Sequence, residues 1–255
     1  MTRCDISIII PSKNGGRWIG KVLAAIAGQQ TEHTYEIIVI DSGSTDATLD
    51  IVQRHPIRLY TIPPAEFSHS KTRNYGASLA APTSRYLLFL NQDAIPWGRD
   101  WLNGMMRSIE SEKDVRAACC MEIDDWIPFW PRVSGVSAYV FSNIWTRGIH
   151  IIEPHLVRKA DPPSGVALRK SFPFTTVCAI FEKKYFLANP FNSSVAWGED
   201  LHWAFDTSNR GDKAACASYA RVIHRRRRSR EELLENKIQC DRLYRAVFGA
   251  DFTLH

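Results

Sequence analysis

The sequence predicts an α/β fold: a mostly parallel central sheet with helices on both faces. Three observations predict it. Short apolar runs such as Ile6–Ile10 are continuous rather than alternating, as in strands covered on both faces. Segments of helical period separate these runs, giving the β-α-β-α order of a parallel sheet. Polar loops follow the strands at their carboxyl ends, where ligands bind on such sheets.

The elements follow in order. Ile6–Ile10 reads as the first strand, with Pro11 expected to end it. Trp18, Val22 and Ile26 recur at helical spacing. Glu36–Ile40 is the second strand, closed by Asp41-Ser42-Gly43-Ser44. Ser44 is expected to cap a helix reaching His55, with Asp46 in its positive first turn. Arg58–Ile62 is a third strand, Ser68–Ala81 a helix and Arg85–Leu90 a fourth strand. A helix is expected over Arg99–Glu112 and a strand over Val115–Met121.

The pattern then degrades from Asp124 to Ser171, where Trp126, Phe129, Trp130, Tyr139, Phe141 and Trp145 crowd together with prolines. That stretch reads as an irregular elaboration of the core, or as an acceptor-binding or membrane-facing lobe. Thr176–Phe181 returns to strand, and a helix begins near Gly198. One or two short strands are expected within 213–224, and a closing amphipathic helix over Glu231–Phe248.

Composition narrows the class. With 45% hydrophobic and 23% charged residues, 255 residues make an ordinary globular chain with room for a sizeable core. No stretch approaches the ~20 apolar residues of a membrane-spanning helix. The N-terminus runs into a strand and shows no signal-peptide pattern, so a cytoplasmic location is expected. The six cysteines lack CxxC spacing and read as free thiols, with Cys119 and Cys120 on opposite faces of one strand. The formal net charge of +5 is uneven: Arg225–Arg228 and Arg230 form a run that is a solvated face or meets an acidic surface.

Four constellations carry chemistry. Leu87–Leu90 delivers Asn91-Gln92-Asp93 to the sheet edge, where Asp93 can hold Mg²⁺ or Mn²⁺ with a substrate diphosphate, or merely cap a turn. Glu199-Asp200 opens a helix after Gly198; one carboxylate can act as a general base, or both can serve the helix dipole. His69 and Arg73 share one helix face, suited to phosphate or simply to solvent. His224, at a strand end, can ligate a metal as neutral imidazole or play a structural part.

In this order the segments resemble the family-2 inverting glycosyltransferases of the A-type nucleotide-diphospho-sugar fold, over roughly residues 5 to 224. Pro11-Ser12-Lys13-Asn14 matches the family's nucleotide loop, Asp41-Ser42-Gly43-Ser44-Thr45-Asp46 its aspartate-rich second loop, and Arg73-Asn74-Tyr75-Gly76 its RNxG segment. Asn91-Gln92-Asp93 stands at the DxD position and Glu199-Asp200 at the ED position. Phe67-Ser68-His69 and the stretches around Asp93 and Asp200 look most like bacterial rhamnosyltransferases, which use dTDP-L-rhamnose for surface polysaccharides. The first DxD aspartate is here Asn91, which brings no charge.

The resemblance implies one domain over residues 1–224, with a donor-binding half (1–123) and an acceptor and catalytic half (124–224); the basic segment and amphipathic helix expected over 225–255 are not carried over from the family. It implies a donor site of Pro11, Ser12, Asn14, Asp41, Ser42, His69, Arg73, Asn74, Asn91, Gln92 and Asp93. Asp93 and His224 would hold Mg²⁺ or Mn²⁺; Asp200, beside Glu199, would be the base. The expected partners are a dTDP- or UDP-sugar and a glycan or lipid-linked acceptor, with an anionic membrane surface at Arg225–Arg230 on the inner face of the membrane, and no nucleic acid. Two other readings stand beside this one. A sugar-nucleotide pyrophosphorylase would need a glycine-rich activation loop, which Ser12–Arg17 only poorly approximates. A non-catalytic basic module would bind membrane or nucleic acid through its arginines with steep salt dependence.

Overall fold

A computed structural model describes residues 4–123, 149–152, 174–195, 198–224 and 238. The aromatic stretch after Asp124, the arginine run and all but one residue of the closing helix lie outside these, so those expectations have no structural counterpart here.

The sheet forms from β1 (Ile6–Ser12), β2 (Tyr35–Asp41), β3 (Arg58–Thr61), β4 (Tyr86–Leu90), β5 (Ala94–Pro96), β6 (Val115–Ile123), β7 (Ile149–Ile152), β8 (Cys178–Glu182) and β9 (Lys213–His224). Their order is β3-β2-β1-β4-β8-β6-β9-β5, with β7 also pairing β9. The strands β3, β2, β1 and β4 are mutually parallel. β8 is antiparallel to both β4 and β6, so β6 and its parallel neighbour β9 run the same way as β1. Only β5, β7 and β8 run against them. The mostly parallel sheet is therefore present, and the carboxyl ends of β1, β2, β4, β6 and β9 share one edge.

Among the described residues six α-helices cover it: α1 (Ile19–Ala27), α2 (Thr48–Val52), α3 (His69–Ser78), α4 (Trp101–Ile109), α5 (Lys183–Ala188) and α6 (Glu199–Asn209). Alternation along the strands sends their side chains into two cores. Ile6, Ile8 and Ile10 pack with Val22 and Ile26 of α1, Val52 of α2 and Trp101 and Met105 of α4. Ile9, Phe89 and Phe181 pack on the other face with Ala77 of α3, Phe186 of α5 and Trp203 of α6. Cys119 and Cys120 fall in different cores, as adjacent strand residues must. The cysteines described are all free and buried.

Local differences from the expected elements have physical reasons. Pro11 does not end β1. Ser12 C=O accepts from Ser42 N on the β2 side, so Pro11 faces the other way, and β1 pairs with β4 only as far as Ile9. Its missing N–H therefore breaks no ladder. Ser44 does not cap α2: its hydroxyl donates to Asp41, and Asp46 takes the capping part by accepting from Thr48 N at 3.0 Å. Residues 213–224 make one strand, bent by an irregularity, rather than two.

Candidate active site

Three loops at the shared edge are tied into one unit. Gln92 Oε1 accepts from Ser12 Oγ at 2.8 Å and from Lys13 N at 3.0 Å, and Gln92 Nε2 donates to Lys13 C=O at 2.9 Å. Gly15 lies so close that a Cβ there would stand 2.1 Å from Gln92 Oε1. Asn14, at φ 48°, accepts from Thr45 N at 2.8 Å, and its own N–H donates to Ser44 Oγ at 2.8 Å. Gly16 N donates to Asp46 Oδ2 at 3.0 Å. Pro11, Ser12 and Asn14 thus sit against the loops after β2 and β4. Asp41 is turned into its own loop, accepting from Gly43 N at 2.9 Å and Ser44 N at 2.8 Å. Ser42 donates to Ser12 C=O at 3.1 Å.

Helix α3 supplies the second group. Ser68 caps it by accepting from Lys71 N at 3.0 Å. Close packing of α3 on the sheet requires Gly76, where a Cβ would meet Ile9 Cγ2 at 2.4 Å. That approach buries Arg73 to 3% exposure. Arg73 Nη1 donates to Glu199 Oε1 at 2.9 Å, and Nη2 donates to Asn91 Oδ1 at 3.0 Å. His69, one turn earlier, lies 3.3 Å from Nη1 through Nδ1. Asn74 points elsewhere: it clips the backbone of Phe191 with two hydrogen bonds, at 2.8 and 3.1 Å. Beside Glu199, the buried Asp200 accepts from Thr176 N at 3.2 Å and Leu201 N at 2.8 Å. Both carboxylates occupy the first turn of α6, where the helix dipole favours negative charge.

The third group lies at the end of β9. His224 is buried, with Nε2 3.4 Å from Asp93 Oδ1 and Nδ1 2.9 Å from Glu122 Oε2. Burial disfavours its charge, but hydrogen bonding and attraction from Asp93 and Glu122 outweigh that and raise its pKa to about 9. Nε2 makes no hydrogen bond despite its burial. Among the described residues no group of three or more His, Cys, Asp or Glu could hold a metal ion unaided. A divalent ion on this fold takes one or two protein ligands and completes its shell with diphosphate oxygens and water. Nε2 is paired with Asp93 while the imidazole is charged, and it could take such an ion on giving up its proton.

The tripeptide 91–93 therefore addresses all three groups at once. Asn91 reaches Arg73, Gln92 reaches the loop after β1, and Asp93 reaches His224. Sequence reasoning missed Glu122. It stands near the carboxyl end of β6, the same kind of position that singled out Asp93, and that signal could have found it.

The model of the glycosyl transferase family 2 matches residues 7–172. The chain belongs to that family. This family-2 protein is 36% identical over 117 residues to the O-antigen chain rhamnosyltransferase WbaN of Salmonella anatum, covering 45% of this chain and 36% of the relative. It is 38% identical over 115 residues to the O-antigen chain rhamnosyltransferase RfbN of Salmonella typhimurium, with the same coverage of 45% and 36%. The match thus spans little more than a third of those relatives. Among solved structures, it resembles glucosyl-3-phosphoglycerate synthase of Mycobacterium tuberculosis, in complex with Mn²⁺, UDP and glucosyl-3-phosphoglycerate. The TM-score is 0.67 at 15% identity, over 98% of this chain and 82% of that one. The mannosyltransferase PcManGT of Pyrobaculum calidifontis, in complex with GDP-mannose and Mn²⁺, gives 0.65 at 16% identity, over 100% and 67%. These likenesses establish the A-type glycosyltransferase fold. No helix among the described residues is long and apolar enough to cross a membrane.

Proposed function

We propose that this family-2 glycosyltransferase moves L-rhamnose from dTDP-L-rhamnose to a hydroxyl of a glycan or lipid-linked acceptor, with inversion, in bacterial surface polysaccharide synthesis. The observation that carries the reading is the junction at residues 91–93. It ties the loop after β1, the buried cluster of Arg73 and Glu199, and the Asp93–His224 pair together at one sheet edge, which supports a donor site there. The similarity to two Salmonella rhamnosyltransferases supports the choice of sugar.

In this reading the loops at Ser12–Asn14 and Asp41–Thr45 seat the nucleotide, and Gln92 holds the first of them in place. Asp93 and the deprotonated His224 Nε2 would hold Mg²⁺ or Mn²⁺, which would supply positive charge against the leaving diphosphate. Asp200 takes the proton of the acceptor hydroxyl as its oxygen attacks the anomeric carbon from the face opposite the diphosphate. Glu199 is bound to Arg73 and orients the turn that presents Asp200; it is not itself the base.

Calorimetric titration with dTDP and UDP, each with and without Mn²⁺, tests the donor site. Metal-enhanced binding of dTDP over UDP is the expected result. Preference for UDP would replace rhamnose by a UDP-sugar. Failure of the folded protein to bind either nucleotide would overturn the reading.

A further inference from the structure

We infer that Glu122 is a positioning residue for His224. It fixes the imidazole so that Nε2 is turned to Asp93 and can serve as a metal ligand. The inference rests on the metal reading above and names the part of this chain that builds that ligand.

The strands contain a device for this contact. β6 and β9 run in register from Ala117 opposite Ala214 to Cys120 opposite Ala217. The next pair is Met121 opposite Arg221, so β9 advances four residues while β6 advances one. Had the first register continued, Glu122 would lie opposite Tyr219, five residues short of His224. The irregularity instead places Glu122 opposite Val222. Side chains two apart on a strand share a face, so His224 stands on the same face as Val222 and diagonally beside Glu122. Irregularities of this kind commonly re-aim a side chain beside a functional site.

The chemistry of the contact is directional. An ionised carboxylate only accepts hydrogen bonds, so at 2.9 Å it takes the Nδ1–H of His224. A histidine held through one ring nitrogen presents the other as the ligand, and the partner sets both ring orientation and ligand basicity. Here the other nitrogen is buried, makes no hydrogen bond, and lies 3.4 Å from Asp93 Oδ1. Glu122 stands on a strand whose other contacts are structural, and its side chain is mostly covered, with 24% exposure. An acidic group left unpaired there would be costly. Its partner is this imidazole.

The test is the affinity for Mn²⁺ in the presence of dTDP, read from loss of the free-ion electron paramagnetic resonance signal beyond that of a protein-free dTDP control, in wild type and three variants. E122L removes the acceptor and should weaken Mn²⁺ binding about ten- to a hundred-fold. E122Q removes the charge but keeps an oxygen that accepts from Nδ1–H, and should keep most of the affinity. E122D keeps the charge but withdraws the oxygen by one methylene, and should behave like E122L. This variant carries the test if E122L does not fold. Equal affinity in E122L and wild type would overturn the inference while leaving the metal site standing. An E122Q loss as large as that of E122L would also overturn it, because charge alone would then be responsible. Absence of Mn²⁺ binding in the wild type would remove the metal site and the inference together.

Discussion

Arg73 and Glu199, 126 residues apart in sequence, form a buried ion pair of 2.9 Å between α3 and the first turn of α6. Removing one partner of such a pair leaves a charge without compensation and costs about 3–5 kcal/mol. E199L and R73M should each lower the urea midpoint strongly, whereas the R73M/E199L double variant should lose less than the sum of its single changes. Additive losses in that double-mutant cycle would show that the pair contributes no coupling.

Asp200 occupies the next position on the same turn, but its role is of another kind. D200N keeps the shape and the contact with Thr176 N while removing the basic oxygen. Transfer should fall by a factor of about 10² to 10⁴, the range for loss of a general base. Donor affinity should stay near the wild-type value, because Asp200 is tied to Thr176 and Leu201 rather than to the loops after β1, β2 and β4. Retained turnover in a sugar-transfer assay would remove Asp200 as the base.

Gly15 and Gln92 make one structural unit. A methyl group at position 15 would come within 2.1 Å of Gln92 Oε1, so G15A must displace the amide that holds Ser12 and Lys13. G15A and Q92A should therefore raise the donor KM to a similar extent. The double variant should be little worse than either single change, because both disrupt the same loop anchor. Independent, multiplying effects would separate the two residues.

The parts of this site that were legible in the sequence are those set by local pattern. Continuous apolar strands ending in polar loops located Ser12, Asp41 and Asp93, because a buried parallel strand must deliver its last residues to the sheet edge. The helix expected over Ser68–Ala81 was likewise a local signal. Partner choice was less accessible. Nothing in the spacing said that Asp41 would bind its own loop, that Asn74 would clip Phe191, or that Glu199 would meet Arg73. Those contacts depend on how helices from distant segments settle on the sheet. The Glu122–His224 contact depends on a register shift between β6 and β9, which no periodicity within a single strand encodes.

Tyr86 gives the fold an alkaline limit. Burial, then the hydrogen bond it donates to Glu110 at 2.8 Å, raises its pKa from 10.0 to about 12. The folded chain thus favours the neutral phenol more than the unfolded chain does. That contribution is complete below pH 10 and is lost as pH rises toward 12. Y86F has no phenol to ionise. Urea midpoints should show a constant difference between wild type and Y86F up to about pH 9 and a falling wild-type stability relative to Y86F above pH 10. Parallel curves through that range would show that Tyr86 does not titrate differently in the two states.

Asn91 stands where the resemblance expects the first aspartate of a DxD pattern, and its surroundings state what an exchange would do. Its Oδ1 accepts from Arg73 Nη2 at 3.0 Å, while Arg73 is already neutralised by Glu199. With asparagine the buried cluster is one cation against one anion. N91D would place Arg73 between two carboxylates and leave one negative charge in excess beside Asp93. Without metal, that excess should lower stability by about 1–3 kcal/mol, as for a buried polar group whose charge is not fully compensated. With a divalent ion the same charge becomes favourable, and Mn²⁺ affinity should rise by about tenfold, since each 1.4 kcal/mol of added attraction gives that factor. Thermal unfolding and Mn²⁺ titration of N91D together check both signs. A variant that is destabilised in metal and without it alike would mean that Asn91 serves only Arg73 and lies too far from the ion for its charge to be felt.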